Sequence, residues 1–433
     1  MLFILSLILI VICSAAIVAI FSIRQKPAFL LAVFLASFAQ IILITEIASL
    51  LNLLTLSFFL VLQIIIAAIA GFLWKRQGTP YLFGPWSGFS LKRTNFRNLF
   101  LSHPVLGIWS LITSIIYAVQ AVLIVHVPQN NFDSMTYHLS RVAYWLQHQT
   151  LAPWATPNPR QTTFPMNAEL GVLWTVMFSG SDRWSGFIQW VSVLIIALAI
   201  YGIARLLGAR RSQGLFAGLL FANFPGILLQ ATTTQNDLAV SAFFMCGLYF
   251  LFLARKERQR AALIFSAVAL AIAVGTKSTI AFILPTFAVC ILIDLVLNKF
   301  KNFRFYFNWA LIGLTAFFLF GALGYIQNQI TYKNPFSDTV WTEEIIASPI
   351  SRGTMLVSNS LFYTFQMVDF SGIPEPTASF LSSGKSWFFT RVFHRLPVRF
   401  EDAIPGLSLA ALLNSPPMID EDVTWYGIIA FFT

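Results

Sequence analysis

Long apolar stretches alternate with short polar ones along the chain. Crossing a bilayer in helix takes about 20 apolar residues. Runs at or near that length cover 2–23, 28–50, 54–74, 104–127, 184–207, 212–230, 238–254, 261–276, 278–297 and 307–327. The first lacks a positive leading region and outlasts a signal-peptide core, so it is read as a retained span. A further run begins near Val423 and meets Thr433, too short to cross, so the chain is expected to stop short of further helices. The pattern predicts an all-α polytopic membrane bundle of ten or eleven transmembrane helices, with juxtamembrane helices in two long loops. The predicted segments are 1–103 (three N-terminal spans and a basic loop), 104–327 (the core, with a first outer loop at 128–183), 328–422 (a second outer loop) and 423–433 (the start of another helix).

Composition agrees: 58% of the residues are hydrophobic, 10% are charged, and mean hydropathy is +0.76. Too few charges remain to cover a water-facing surface, which excludes a soluble globular domain and a disordered chain. The net charge of +10 is explained by loop placement rather than by nucleic acid, since no basic face with interleaved aromatics occurs. Cys13, Cys246 and Cys290 all lie in apolar runs, which argues against a disulfide framework or structural zinc.

Basic residues set the expected orientation. Clusters at 24–26, 75–97, 205–211, 255–260 and 299–304 hold 17 of the 27 Lys and Arg, and all five loops are expected in the cytoplasm. Fourteen of the 17 acids then fall in outward segments or at their helix boundaries. Parity makes 166–180 a helix that lies at the outer interface or dips partway in.

Three outward stretches carry candidate chemistry. In the first, Ser134 to His148 reads as an amphipathic surface helix, with Asp133 or Ser134 available as its cap. Tyr137 and Arg141 lie four and eight residues after Asp133 and are expected on one stripe, with His138 beside it. That reads either as a cap and a snorkelling arginine, or as a general base beside a phosphate-binding cation. In the second stretch, Asp237 opens a helix after the polar patch Thr232, Thr233, Thr234, as a cap or as a functional carboxylate at the mouth of a helix pair. In the third, Lys277 interrupts two apolar stretches on the outer side, where it needs a carboxylate or an anionic ligand, or else snorkels. Glu169 and His394 could together bind a divalent metal, although their spacing matches no ligand motif. Arg391, Arg395 and Arg399 surround His394. Glu46 has no assigned role.

An outward Asp133 after a span, then YHLSRVAYW, a Pro- and Arg-rich stretch, FPMNAEL, Pro225, Asp237 and GTKST at 275–279, resembles GT-C-fold glycosyltransferases. Within that superfamily the chain is similar to aminoarabinose transferases and protein O-mannosyltransferases, over roughly 100–330. Two positions depart from the pattern: Glu169 replaces a Lys-rich version, and Ser134 stands where a second acid is usual. The resemblance implies transfer of a sugar from a polyprenyl-phosphate donor, at the outer face of the cytoplasmic membrane, to an unspecified glycan, lipid or protein. Asp133 would handle the acceptor hydroxyl, while Lys277 with Arg141 or Arg395 would neutralise the leaving phosphate. Tyr137, His138, Asp237 and Glu169 would contact substrate. Trp145, Trp154 and Trp387 could stack on sugars or belong to the aromatic belt. The competing class is a transporter or lipid flippase, which would hold its ionisable groups near the bilayer midplane.

Overall fold

The computed structural model describes residues 2–23, 25–80, 82, 100–336, 353, 356, 357, 360, 370, 376–393 and 395. No strand occurs among them. The helices are α1 (Leu2–Ile20), α2 (Lys26–Leu50), α3 (Leu56–Arg76), α4 (Pro104–His126), α5 (Leu139–His148), α6 (Asn167–Ser179), α7 (Phe187–Leu206), α8 (Arg211–Ala222), α9 (Asp237–Glu257), α10 (Arg260–Val274), α11 (Leu284–Leu297), α12 (Phe303–Phe320), α13 (Leu323–Tyr332) and α14 (Thr377–Phe393). Residues 1–222 with 231–338 form one compact unit, and 223–230 with 339–433 form a second.

Eight helices are long and apolar enough to cross a membrane among the described residues, fewer than the ten or eleven expected. The run at 212–230 is split: α8 ends at Ala222 and a separate short helix starts at Pro225, which cannot continue an incoming helix. The run at 261–276 is helical for only 15 residues, Arg260–Val274. The run at 423–433 lies outside the described residues.

In the first unit α9 is central, packing on α10, α7 and α2, while α11 and α12 expose most of their apolar surface. Polar contacts between helices satisfy groups that lipid could not. Gln63 bonds Ser6 (2.9 Å), Gln40 bonds Ser14 (2.6 Å), and Trp174 of α6 donates to Ser6 Oγ (2.9 Å). The N-terminal helices thus pack into the body of the unit, since α1 and α2 both contact α6.

Segments from the basic clusters at 24–26, 205–211 and 255–260 contact one another. At the basic end Gln25 donates to Glu257, Lys256 to the Leu206 carbonyl, and Arg255 pairs with Asp294. At the other end Leu151 N–H bonds Ser49 Oγ, Gln129 bonds the Thr232 carbonyl, Thr234 N–H bonds Ser134 Oγ, and Asn328 bonds the Thr163 carbonyl.

At that second end α6 is enclosed rather than laid on a surface. Asn167, at its start, donates to the Ile272 (3.1 Å) and Phe320 (2.6 Å) carbonyls. The fit requires glycine on both neighbouring segments. A Cβ on Gly275 would lie 2.4 Å from Asn167 Nδ2, and one on Gly321 would lie 2.4 Å from the Ala271 carbonyl oxygen.

Candidate functional site

The helix after α4 does not begin as the sequence suggests. Asn131 Oδ1 accepts the Ser134 N–H at 3.1 Å, so the cap is Asn131 rather than Asp133 or Ser134. Asp133 has helical backbone angles and caps nothing. From Ser134 to His138 the backbone makes a π-turn, with Leu139 N–H bonded to the Ser134 carbonyl. One residue more than an α-turn enters the helix there, a feature frequent at functional sites. The expected stripe therefore divides. Asp133 and Tyr137 stay together, while His138 and Arg141 turn inward.

Asp133 is half-buried between two donors. The Tyr137 hydroxyl donates to Oδ2 at 3.1 Å, and Arg160 Nη1 lies 3.5 Å from Oδ1. Arg160 also stands 5.8 Å from the Tyr137 ring centroid. Its segment is tied down by Gln161, which donates to the Thr136 carbonyl (2.8 Å) and to Ser140 Oγ (3.0 Å). Burial, then Asp133, Glu169 and Asp237, push the Tyr137 phenol far above its usual range, so it stays a donor.

Beneath this pair lies a second, fully enclosed group. His138 Nδ1 is 2.6 Å from Glu169 Oε1, and Arg141 Nη1 is 3.5 Å from the same oxygen, with all three side chains about 1% exposed or less. Arg141 also donates to the carbonyls of Phe164 (2.9 Å) and Pro165 (3.4 Å), and its guanidinium lies 4.8 Å from the Trp145 ring. Burial opposes ionisation of Glu169, but Arg141 and His138 outweigh it and hold the carboxyl below its usual range. Burial also lowers Arg141, against the opposing pull of Glu169. An ionised Glu169 makes His138 Nδ1 the donor. His138 Nε2, Arg141 Nε and Glu169 Oε2 are buried with no hydrogen-bond partner.

Asp237 opens α9 and pairs with Lys277, Nζ to Oδ1 at 2.6 Å, each partly exposed. Asn236 donates to the Thr276 carbonyl beside it (3.3 Å). The bond from Thr234 N–H to Ser134 joins this segment to the one carrying Asp133, and Asp237 is close enough to raise the Tyr137 phenol. The Asp133–Tyr137–Arg160 group and the Asp237–Lys277 pair are thus tied through the bond between Ser134 and Thr234.

Other expected residues lie elsewhere. Arg141 faces Glu169 and two carbonyls, and the cation at Asp133 is Arg160. Sequence reasoning missed Arg160; its one signal was an arginine in an outward loop, against the basic-loop trend. Arg395 is exposed in the second unit, where Arg391 lies 4.3 Å from the Trp387 ring. His394 is outside the described residues. Glu169 Oε1 faces a guanidinium and an imidazole, and the second ligand expected for a divalent metal, His394, lies outside the described residues. Among the described residues no group of three His, Cys, Asp or Glu could hold a metal ion. Trp145 is buried, whereas Trp154 stacks on Tyr144 with centroids 4.5 Å apart.

Residues 165–320 match the model of the dolichyl-phosphate-mannose-protein mannosyltransferase family. No curated protein and no solved structure matches the chain. The matched stretch holds Glu169, Asp237 and Lys277, and Asp133 precedes it. With eight helices apolar enough to cross a membrane, the match is consistent with a GT-C-like glycosyltransferase. It supports a multi-pass membrane glycosyltransferase of the mannosyltransferase type.

Proposed function

We propose that the chain moves a sugar from a polyprenyl-phosphate donor to an acceptor hydroxyl at the outer face of the cytoplasmic membrane. Asp133 is the observation that carries this reading. It is a half-buried carboxylate that caps nothing, held by a phenol and a guanidinium at the end of the bundle opposite the basic loops. With those loops in the cytoplasm, this end faces outward. The family matched over 165–320 is named for a dolichyl-phosphate sugar donor, which supports the same donor class here.

In the proposed step the acceptor oxygen bonds to the anomeric carbon as the bond from that carbon to the phosphate oxygen breaks. Asp133 takes the acceptor proton. The leaving group departs as polyprenyl phosphate, with more negative charge than it carried in the donor. Lys277 and Arg160 stabilise that charge, and they do so more in the transition state than in the ground state. Both are already paired with carboxylates, but these pairs are partly exposed and worth about 0–1 kcal/mol each. A donor phosphate can therefore replace a carboxylate at either cation at small cost. Tyr137 keeps its proton and orients Asp133.

Ion pairs at helix ends favour a transferase over a transporter, whose ionisable groups would lie near the midplane. The test is incubation of purified protein in lipid with labelled polyprenyl-phosphate sugars and a mixed acceptor pool, tracking release of polyprenyl phosphate. Folded protein that consumes no donor of this class would refute the reading.

A further inference from the structure

The π-turn and the buried group under it form one device. An α-helix turns about 100° per residue, so the extra residue in Ser134–His138 rotates the N-terminal side of the turn relative to α5. Asp133 precedes the turn, Tyr137 lies within it, and Arg141 lies beyond it. His138 sits at the end of the turn, with its ring centroid 4.1 Å from that of Tyr137. A π-turn is rare and frequently marks a functional site. Besides the bonds that Ser134 Oγ and the Thr136 carbonyl accept, the turn is held by the bond from His138 Nδ1 to Glu169 Oε1, 2.6 Å long and fully buried. Glu169 is itself fixed, because it lies in the first turn of α6, which Asn167 clamps to the ends of α10 and α12. Arg141 reaches the same carboxylate oxygen from the next turn of α5.

From this geometry we infer that Glu169, acting through His138, is a positioning residue that holds the π-turn and so sets where Asp133 points. The pair does not touch substrate, because both side chains are enclosed. The inference rests on the proposed role of Asp133 for its catalytic consequence, but its geometric content stands apart from that role.

His138→Leu tests it while leaving the Arg141–Glu169 ion pair in place. His138→Asn is the rescue variant, since its amide N–H can still reach Glu169. The first readout is independent of turnover. In a Cys290→Ser background, which removes the exposed native thiol, Asp133→Cys is modified with a membrane-impermeant thiol reagent. Ala143→Cys, on the exposed side of α5, serves as control. His138→Leu should change the rate at position 133 several-fold without changing it at 143, and His138→Asn should restore it. The second readout is transfer, with Asp133 intact. Displacing the base should lower kcat by about tenfold or more, with donor KM within twofold and recovery in His138→Asn. Unchanged reactivity at position 133 in a folded His138→Leu protein overturns the inference. So does loss of folded protein in His138→Leu that His138→Asn repairs with no site-specific change in reactivity, since the bond would then be plain scaffold. If reactivity shifts as expected but wild-type protein transfers nothing, the positioning device stands and the transferase reading falls.

Discussion

Removing the Glu169 carboxylate leaves a buried guanidinium without the anion that faces it. In Glu169→Leu the Arg141 guanidinium, 1% exposed, keeps its two carbonyl acceptors but loses the carboxylate oxygen 3.5 Å away. His138 Nδ1–H loses its acceptor at 2.6 Å. Breaking a buried pair by deleting one partner costs about 3–5 kcal/mol. Burial this complete gives no reason to discount that for solvent. The carbonyl contacts that Arg141 retains place the expected loss toward the lower end, about 3 kcal/mol. The assay is thermal unfolding in detergent, read as the fraction of monodisperse protein, for wild type, Glu169→Leu, Arg141→Leu and the double variant. Each single variant should be strongly destabilised. The double variant should recover much of the loss, because replacing both members of a buried pair with apolar groups is often close to neutral. A Glu169→Leu protein as stable as wild type would refute the pairing proposed for this group, as would a double variant whose loss equals the sum of the singles.

Glu169 has a depressed carboxyl in the folded chain, so its contribution is complete above the usual Glu value of about 4.3 and is lost as pH falls through the lower folded value; acid unfolding of wild type should be steeper there than that of Glu169→Gln, and parallel curves would count against an ionised Glu169. Lys277→Met should lower transfer about tenfold or more while folding survives, since its pair with Asp237 is partly exposed, and Lys277→Arg should recover part of it; an inactive Met variant restored by adding Asp237→Asn would make the pair structural. Gly321→Ala should cost about 1–3 kcal/mol in thermal unfolding, because its Cβ would meet the Ala271 carbonyl oxygen at 2.4 Å, and an unchanged melting temperature would mean that the clamp at Asn167 can shift.

The architecture was legible where physics acts over whole segments. Apolar runs marked the spans, and the basic clusters sorted the loops into the two sets that Gln25–Glu257 at one end and Gln129–Thr232 at the other tie together. The run at 212–230 is shortened by a break just before Pro225. The site was less legible because it depends on single residues. One extra residue in a helical turn leaves no mark on apolar spacing, so an even stripe of Asp133, Tyr137 and Arg141 was the natural reading. Asn131 lay two residues outside the expected cap. Glu169 stands in a short apolar helix whose enclosure depends on Asn167 meeting Gly275 and the Ile272 and Phe320 carbonyls, far along the chain. Its partners His138 and Arg141 were visible as candidates, but toward substrate rather than toward Glu169.

In the proposed reaction Asp133 does the chemistry at the outer face. The most direct measurement compares wild type with Asp133→Asn in sealed right-side-out vesicles supplied with labelled polyprenyl-phosphate sugar, tracking release of polyprenyl phosphate. The amide keeps the shape and an acceptor for the Tyr137 hydroxyl, but it cannot take the acceptor proton. If Asp133 is the base, yields of folded protein should be equal and turnover should fall about 100-fold or more. Turnover in Asp133→Asn equal to wild type would contradict the claim.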